Sequence, residues 1–351
     1  MPVRLPLMKK SGKPGKPVRG MRVVALGGGT GLSALLRGLR EHVVRGPVRL
    51  PTRERPISDL AAIVTVTDDG GSSGRLRREN RILPPGDIRN CMVALSKDEA
   101  LLSRLFQYRF QAGHGLKGHS FGNLFLAALT HVTGDFAEAV RVSSQVLAIR
   151  GRIFPSTISN VHLVATLTNG QRVQGESRIS RSKIPIRRIE LSPRSVRALT
   201  PAIEAIYQAD LILMGPGSLY TSVIPNLLIP QIARAISRSR APRVYIANLM
   251  TQPGETTQYA LSQHVRAIED HVGRHFINCV VANKRPISPE VARRYRAEGA
   301  EPVLLDRANL AKMHVRLIDG NLLEENNVIR HNSARLAALL LDEFLLPATQ
   351  R

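Results

Sequence analysis

With 351 residues, 43% of them hydrophobic, the chain can bury a substantial core in one large domain or two unequal ones. No apolar run approaches the roughly 20 residues of a membrane span, and the basic N-terminus lacks the apolar core of a secretory signal, so neither a membrane span nor export is expected. Two cysteines, Cys91 and Cys279, exclude a disulfide framework or a cysteine zinc cluster and make a reducing cytoplasm the expected setting.

Charge is the outlier, because 50 basic against 27 acidic residues leave a formal +23. The first 20 residues carry Arg4, Lys9, Lys10, Lys13, Lys16 and Arg19 without an acid, among Pro and Gly, and are expected to be a disordered basic tail. His42–Pro56 and Arg172–Arg197 hold the other concentrations. Such charge attracts nucleic acid or anionic lipid. Yet the chain has no Trp, only 4% aromatics, and no aromatic interleaved with these basics for base stacking. A solvated arginine-rich surface is therefore expected, and nucleic acid is not an expected partner.

In chain order, Met21–Leu26 is a short apolar run with the pattern of a buried strand. It is followed at once by Gly27, Gly28, Gly29, Thr30 and Gly31, and then by Leu32, Leu35, Leu36 and Leu39 on one helical face. A strand, a glycine turn and a helix form an anion site, because glycines admit a phosphate to the backbone and the helix start offers free N–H groups. Gly29–Ala34 also fits G-x-G-x-x-A, the dinucleotide fingerprint, which leaves NAD open as a ligand.

After the Pro-bearing surface loop His42–Pro56, the apolar strand Leu60–Val66 ends in Thr67-Asp68-Asp69-Gly70-Gly71-Ser72-Ser73-Gly74. Asp68 lies 39 residues past Gly29, or 24 once the 15-residue loop is removed, close to the spacing of a ribose-holding acid. Asp68 and Asp69 equally suit a divalent metal or the activation of an acceptor hydroxyl, and a plain solvent-facing turn is the structural alternative. Pro84–Asn90 is a stiff turn into a helix, Asn90–Ser96, where Asp87 either caps the helix or, between two candidate glycine loops, lines a site. His114–Asn123 presents His114, His119, Lys117, Ser120 and Asn123 in a loop before a helix, a setting for an anionic or hydroxyl-bearing ligand rather than zinc. Val161–Glu176 around Asn169-Gly170 predicts a β-hairpin, a small appended subdomain.

Strand–helix alternation then returns. Strand Asp210–Met214 runs into Gly215, Pro216, Gly217, Ser218, Leu219, Tyr220, Thr221 and Ser222, a second glycine turn able to hold a diphosphate or a sugar. Asn226 follows. Strands Val244–Asn248 and Ile277–Ala282 end in Met250–Thr256 and in Asn283-Lys284-Arg285-Pro286, the latter as much a phosphate contact as a solvated turn. Pro302–Leu305 completes the expected strands and Ser333–Phe344 is the terminal helix. The fold expected is α/β, a Rossmann-like three-layer core with a mainly parallel sheet plus a small β-hairpin and helical subdomain. In an open parallel sheet, the loops from Gly27, Asp68 and Gly215 converge beyond the strand ends.

GGGTGLS at Gly27–Ser33, DDGGSSGR at Asp68–Arg75, PGDIRN at Pro85–Asn90, GHSFGNL at Gly118–Leu124, GPGSLYTS at Gly215–Ser222, PNLL at Pro225–Leu228 and MTQPGET at Met250–Thr256 resemble, in this order, the gluconeogenesis factor (YvcK-like) family within the wider 2-phospho-L-lactate transferase (CofD-like) family. The likeness covers nearly the whole chain apart from the basic tail and the His42–Pro56 insertion. It implies one α/β domain over residues 21–345, with a subdomain inserted at about 86–200, that binds a nucleotide. The transferase branch moves a phospholactyl group from a guanosine diphospho-lactate to a deazaflavin alcohol with a divalent metal. The gluconeogenesis-factor branch has no established reaction, resembles binders of UDP-sugars, and is implicated in cell shape during gluconeogenic growth.

The expectation is thus a nucleotide-sugar binder of the cytoplasm, and a homodimer. Its ligand site is drawn from Gly27, Gly28, Gly29, Thr30, Gly31, Asp68, Asn123, Gly215, Gly217, Ser218, Tyr220, Asn226, Lys284 and Arg285. The alternative is a transferase in which Asp68 and Asp69 are catalytic, placing magnesium or activating the acceptor hydroxyl. An NAD-binding protein is the third reading.

Overall fold

The computed structural model describes residues 20–44, 57–96, 100–326 and 328–345. Nearly all of the basic tail, and the His42–Pro56 loop from residue 45 onward, lie outside the described residues.

Seven parallel strands make the central sheet: β1 (Met21–Gly27), β2 (Ile57–Val64), β3 (Arg152–Pro155), β7 (Leu211–Met214), β8 (Arg243–Ile246), β9 (Cys279–Asn283) and β10 (Arg316–Gly320). A strand covered by helices on both faces needs apolar residues on both, and Val23–Leu26 and Leu211–Met214 are buried without interruption. The order is β10-β9-β8-β7-β1-β2-β3. The chain winds outward from β1 through β2 to β3, then returns to β7 on the other side of β1 and winds outward again. The reversal opens a crevice between the C-terminal ends of β1 and β7.

Helix α1 (Gly29–Arg40) buries Leu32, Leu35, Leu36 and Leu39, positions i, i+3, i+4 and i+7, and packs with α3 (Gly86–Leu95) and the terminal helix Ser333–Leu345. Helices Thr200–Gln208 and Pro230–Arg238 pack on each other elsewhere along the sheet. The expected hairpin is present as β4 (His162–Leu167) and β5 (Arg172–Gln174), and β6 (Ile186–Ser192) pairs with β4 to complete a three-stranded antiparallel sheet. A second small sheet, β11 (Leu323–Glu325) with β12 (Ile329–His331), lies just before the terminal helix.

Two expectations are corrected. Gly70–Gly74 is not a loop throughout, because Gly71 opens helix α2 (Gly71–Asn80). The poor helix formers there are held by packing: a Cβ on Gly74 would meet the Asp69 carbonyl oxygen at 1.9 Å. Pro302–Leu305 makes only isolated bridges, Pro302 with Met250 and Leu304 with Ala260, since a proline gives a ladder no N–H. The sheet edge is instead β10, which carries little apolar sequence.

Candidate functional site

The crevice at the switch of strand order holds a cavity of ≈ 700 Å³. Its floor is the two glycine turns. Thr30 and Gly31 come from the turn after β1, and Pro216, Gly217 and Ser218 from the turn after β7. The turns touch: a Cβ on Gly31 would stand 2.4 Å from the Pro216 carbonyl oxygen, so only glycine permits this approach. Asn248, at the end of β8, clamps the second turn by accepting the Gly217 N–H at 3.2 Å, and its amide reaches Gln252 at 3.3 Å. Asn248 to Pro253 and the β12 residues Arg330 and His331 form other walls.

The cavity is cationic. Arg37, Arg89, Arg109 and Arg330 line it, against Glu298 and Glu324. Burial, with the charge of Arg109 beside it, lowers the pKa of Arg89, but a guanidinium stays charged regardless. His331 is enclosed enough that its pKa falls to about 4. The ring is therefore neutral, and its Nε2 has no partner among the described residues.

Beside the cleft, on the far side of the first turn, stands a group of carboxyls. Asp87, in the first turn of α3, accepts the Gly29 N–H, and burial first and the Asp68 charge second push it up to about 6. Asp68 accepts the Gly70 N–H at 2.8 Å and a bond from Ser73; burial raises its pKa too. Glu176 is driven well above the usual carboxyl range by burial and by the charges of Asp87, Asp68, Asp69 and Glu255. Glu255 is also raised by burial, and it accepts the Ser218 hydroxyl and, at 3.3 Å, that of Ser180.

The residues expected from sequence therefore divide. Thr30, Gly31, Gly217 and Ser218 line the cleft. Gly27, Gly28, Gly29, Gly215, Tyr220 and Asn226 do not line it and support it from behind. The buried Asn226 amide donates to the carbonyls of Gly27 at 3.2 Å and Ser222 at 2.9 Å, which ties the two turns together. Tyr220 pairs its hydroxyl with that of Tyr259 at 3.0 Å. Asn123 donates to Ser72 at 3.1 Å, and Ser72 in turn meets His119 Nδ1 at 2.9 Å, a buried network one residue from Ser73. Lys284 and Arg285 lie off the cleft, with Lys284 3.6 Å from Asp319.

Asp68 and Asp69 have different partners. Asp69 accepts the Ser177 N–H at 2.9 Å, while Asp68 accepts that of Gly70. Among the described residues no three His, Cys, Asp or Glu side chains are grouped to hold a metal, so the side chains alone do not form a metal cage. Both cysteines are buried and free. No helix among the described residues is long and apolar enough to cross a membrane. Sequence reasoning missed Arg37, Arg109 and Arg330, which lie outside every glycine loop. Arg89 stood within the quoted PGDIRN motif, and its type and place were the available signal.

A parallel sheet with glycine turns meeting at its switch point defines a Rossmann-like α/β protein with a cleft at the strand ends. The chain belongs to the family described as 2-phospho-L-lactate transferase CofD, whose model matches residues 23–323. A gluconeogenesis factor of Halalkalibacterium halodurans is 47% identical over 321 residues, covering 91% of this chain and 95% of that protein. One from Bacillus subtilis (strain 168) is 46% identical over 322 residues, covering 92% and 97%. A crystal structure of a UPF0052 family member from Bacillus halodurans has a TM-score of 0.85 at 46% identity and covers 92% of this chain and 100% of that one.

Proposed function

We propose that this chain is a gluconeogenesis factor that binds a UDP-sugar in the cleft between β1 and β7 and acts as a regulatory protein in cell shape during gluconeogenic growth. The observation that carries the reading is the cationic cleft itself: four arginines around ≈ 700 Å³ at the end of a parallel sheet. The volume suits a nucleotide-linked small molecule. Guanidiniums are suited to a diphosphate because they present paired donors in a plane. The Gly29 N–H already serves Asp87, the Gly217 N–H serves Asn248 and the Ser218 hydroxyl serves Glu255, so the arginines and the Thr30–Gly31 edge take the phosphates.

Isothermal titration with UDP-N-acetylglucosamine, GDP and NAD, with and without magnesium, tests this. Tight, saturable UDP-sugar binding that does not need magnesium, with no turnover, is the expected outcome. Preferential NAD binding would overturn it. The proposal includes a cytoplasmic homodimer, checked by sedimentation of the purified chain.

A second reading, a phosphoryl- or phospholactyl-type transferase, is favoured by the carboxyls beside Gly29. A carboxyl with a pKa of about 6, as at Asp87, is suited to take a proton from an acceptor hydroxyl. In that reading a divalent cation would neutralise phosphate charge, with Asp68 as the available carboxyl. Magnesium-dependent consumption of a nucleotide donor in the presence of an alcohol would establish it.

A further inference from the structure

A second cavity of ≈ 570 Å³ lies where the small antiparallel sheet meets α2, and it shares no lining residue with the cleft. Arg77 and Arg78 reach it from α2, Asn160 and His162 from the start of β4, and Arg178 from the short helix Glu176–Ile179. Asp69 is the one carboxylate on its wall, and one of its oxygens already accepts the Ser177 N–H.

Arg77 makes this more than a charged surface. It is 6% exposed. Its Nε and Nη2 donate to Asn160 Oδ1 at 3.0 and 2.6 Å, and Nη2 also donates to the Val161 carbonyl. Its Nη1 has no acceptor, and none of the three arginines has a salt bridge among the described residues. The charges of Asp69 and Asp68 act on this buried guanidinium, but its hydrogen-bond acceptors are all neutral and Nη1 has none, so an anion in the cavity would complete its partners. His162, kept neutral by burial and by the neighbouring Arg77 charge, offers the wall a hydrogen-bonding group rather than another cation.

We propose that this cavity is a second ligand site, for a small phosphorylated metabolite that carries hydroxyls, of the size of a hexose phosphate. Arg77, Arg78 and Arg178 hold the phosphate, while Asn160 and His162 face the hydroxyls. The site stands on residues the nucleotide cleft does not use, so it holds whichever nucleotide the cleft takes.

The test is calorimetric titration of the full chain with glucose 6-phosphate and with inorganic phosphate, at physiological ionic strength. Wild type binds glucose 6-phosphate saturably. The doubly substituted Arg78→Ala, Arg178→Ala chain, altered only at exposed side chains, loses about tenfold or more in affinity. The cleft variant Arg37→Ala binds it as wild type does, and UDP-N-acetylglucosamine does not compete. The proposal is overturned if neither phosphate compound binds wild type, if the double variant binds equally, or if the sugar phosphate is displaced by the UDP-sugar and lost in Arg37→Ala. Failure of UDP-N-acetylglucosamine to bind would count against the cleft reading and leave this result standing.

Discussion

The cleft and the carboxyl group lie at the same C-terminal end of the sheet, on either side of one glycine turn, one lined by cations and the other by acids. Arg37, Arg89, Arg109 and Arg330 dominate one side; Asp68, Asp87, Glu176 and Glu255 gather on the other. A glycine turn into a helix ordinarily offers its N–H groups to a phosphate. Here part of each turn's donors already serves the protein. Asp87 takes the Gly29 N–H, and Glu255 takes the Ser218 hydroxyl and the Tyr220 N–H. The lesson is that the turns set the spacing of the cleft, while side chains from other elements supply its positive charge.

The strongest way to break that division is to force the turns apart. A Cβ at residue 31 collides with the Pro216 carbonyl, where backbone on both sides leaves no flexible atom to yield. Gly31→Ala is expected to cost about 3 kcal/mol, the upper range for overpacking, and to abolish nucleotide binding. Urea unfolding and UDP-sugar titration of the same sample measure both. Full stability in the variant would show that the turns do not set the cleft.

Removing one cation isolates the anionic term. Arg37 is exposed on α1, so Arg37→Ala leaves the packing alone. The expected loss is about tenfold in UDP-sugar affinity, the value of one charge-assisted contact, with an unchanged melting curve. An unchanged affinity would place the phosphates elsewhere in the cleft.

The carboxyl side is probed by pH. Asp87 takes up its proton near pH 6 when folded and near 3.8 when unfolded, so the folded state binds more protons between those values. Stability from this group therefore rises as pH falls from about 7 towards 4 and is lost as pH rises through 6. Asp87→Asn should remove that slope and raise the stability of the free protein at pH 8 by up to about 3 kcal/mol, less whatever the Gly29 bond contributed. Thermal unfolding across pH 5 to pH 8 for both chains decides it, and a variant less stable at pH 8 would mean that the Gly29 contact outweighs the buried charge.

Much of this was legible in the sequence because it repeats a local pattern. Val23–Leu26 and Leu211–Met214, each followed by glycines, announce buried strands ending in turns, and an alternating chain can bring those turns together only at the switch in strand order. Thr30, Gly31, Gly217 and Ser218 were found on that logic. Arg330 and Arg109 were not, because a cleft wall built by tertiary packing leaves no local period: Arg330 arrives on β12, about 300 residues after the turn it faces. The edge strand β10 was missed for a related reason, since Arg316–Gly320 has too few apolar residues to stand out, whereas Pro302–Leu305 looked like a strand but lacks the N–H to be one.

The smallest expected effect separates strand-end loops that serve the cleft from one that only looks alike. Lys284 and Arg285 follow β9 as Gly28 and Gly215 follow β1 and β7, but β9 stands two strands outward from the switch point, and neither residue reaches the cavity. Lys284 instead approaches Asp319, which also pairs with Arg307 at 2.6 Å, so removing the lysine leaves that carboxylate partnered. Exposed pairs of this kind contribute about 0–1 kcal/mol. Lys284→Ala should therefore change UDP-sugar affinity by less than about twofold, against the tenfold expected for Arg37→Ala. Equal losses in the two variants would mean that a general positive field, rather than the cations lining the cleft, draws the ligand in, and repeating both titrations at higher salt would show it by a loss common to all the chains.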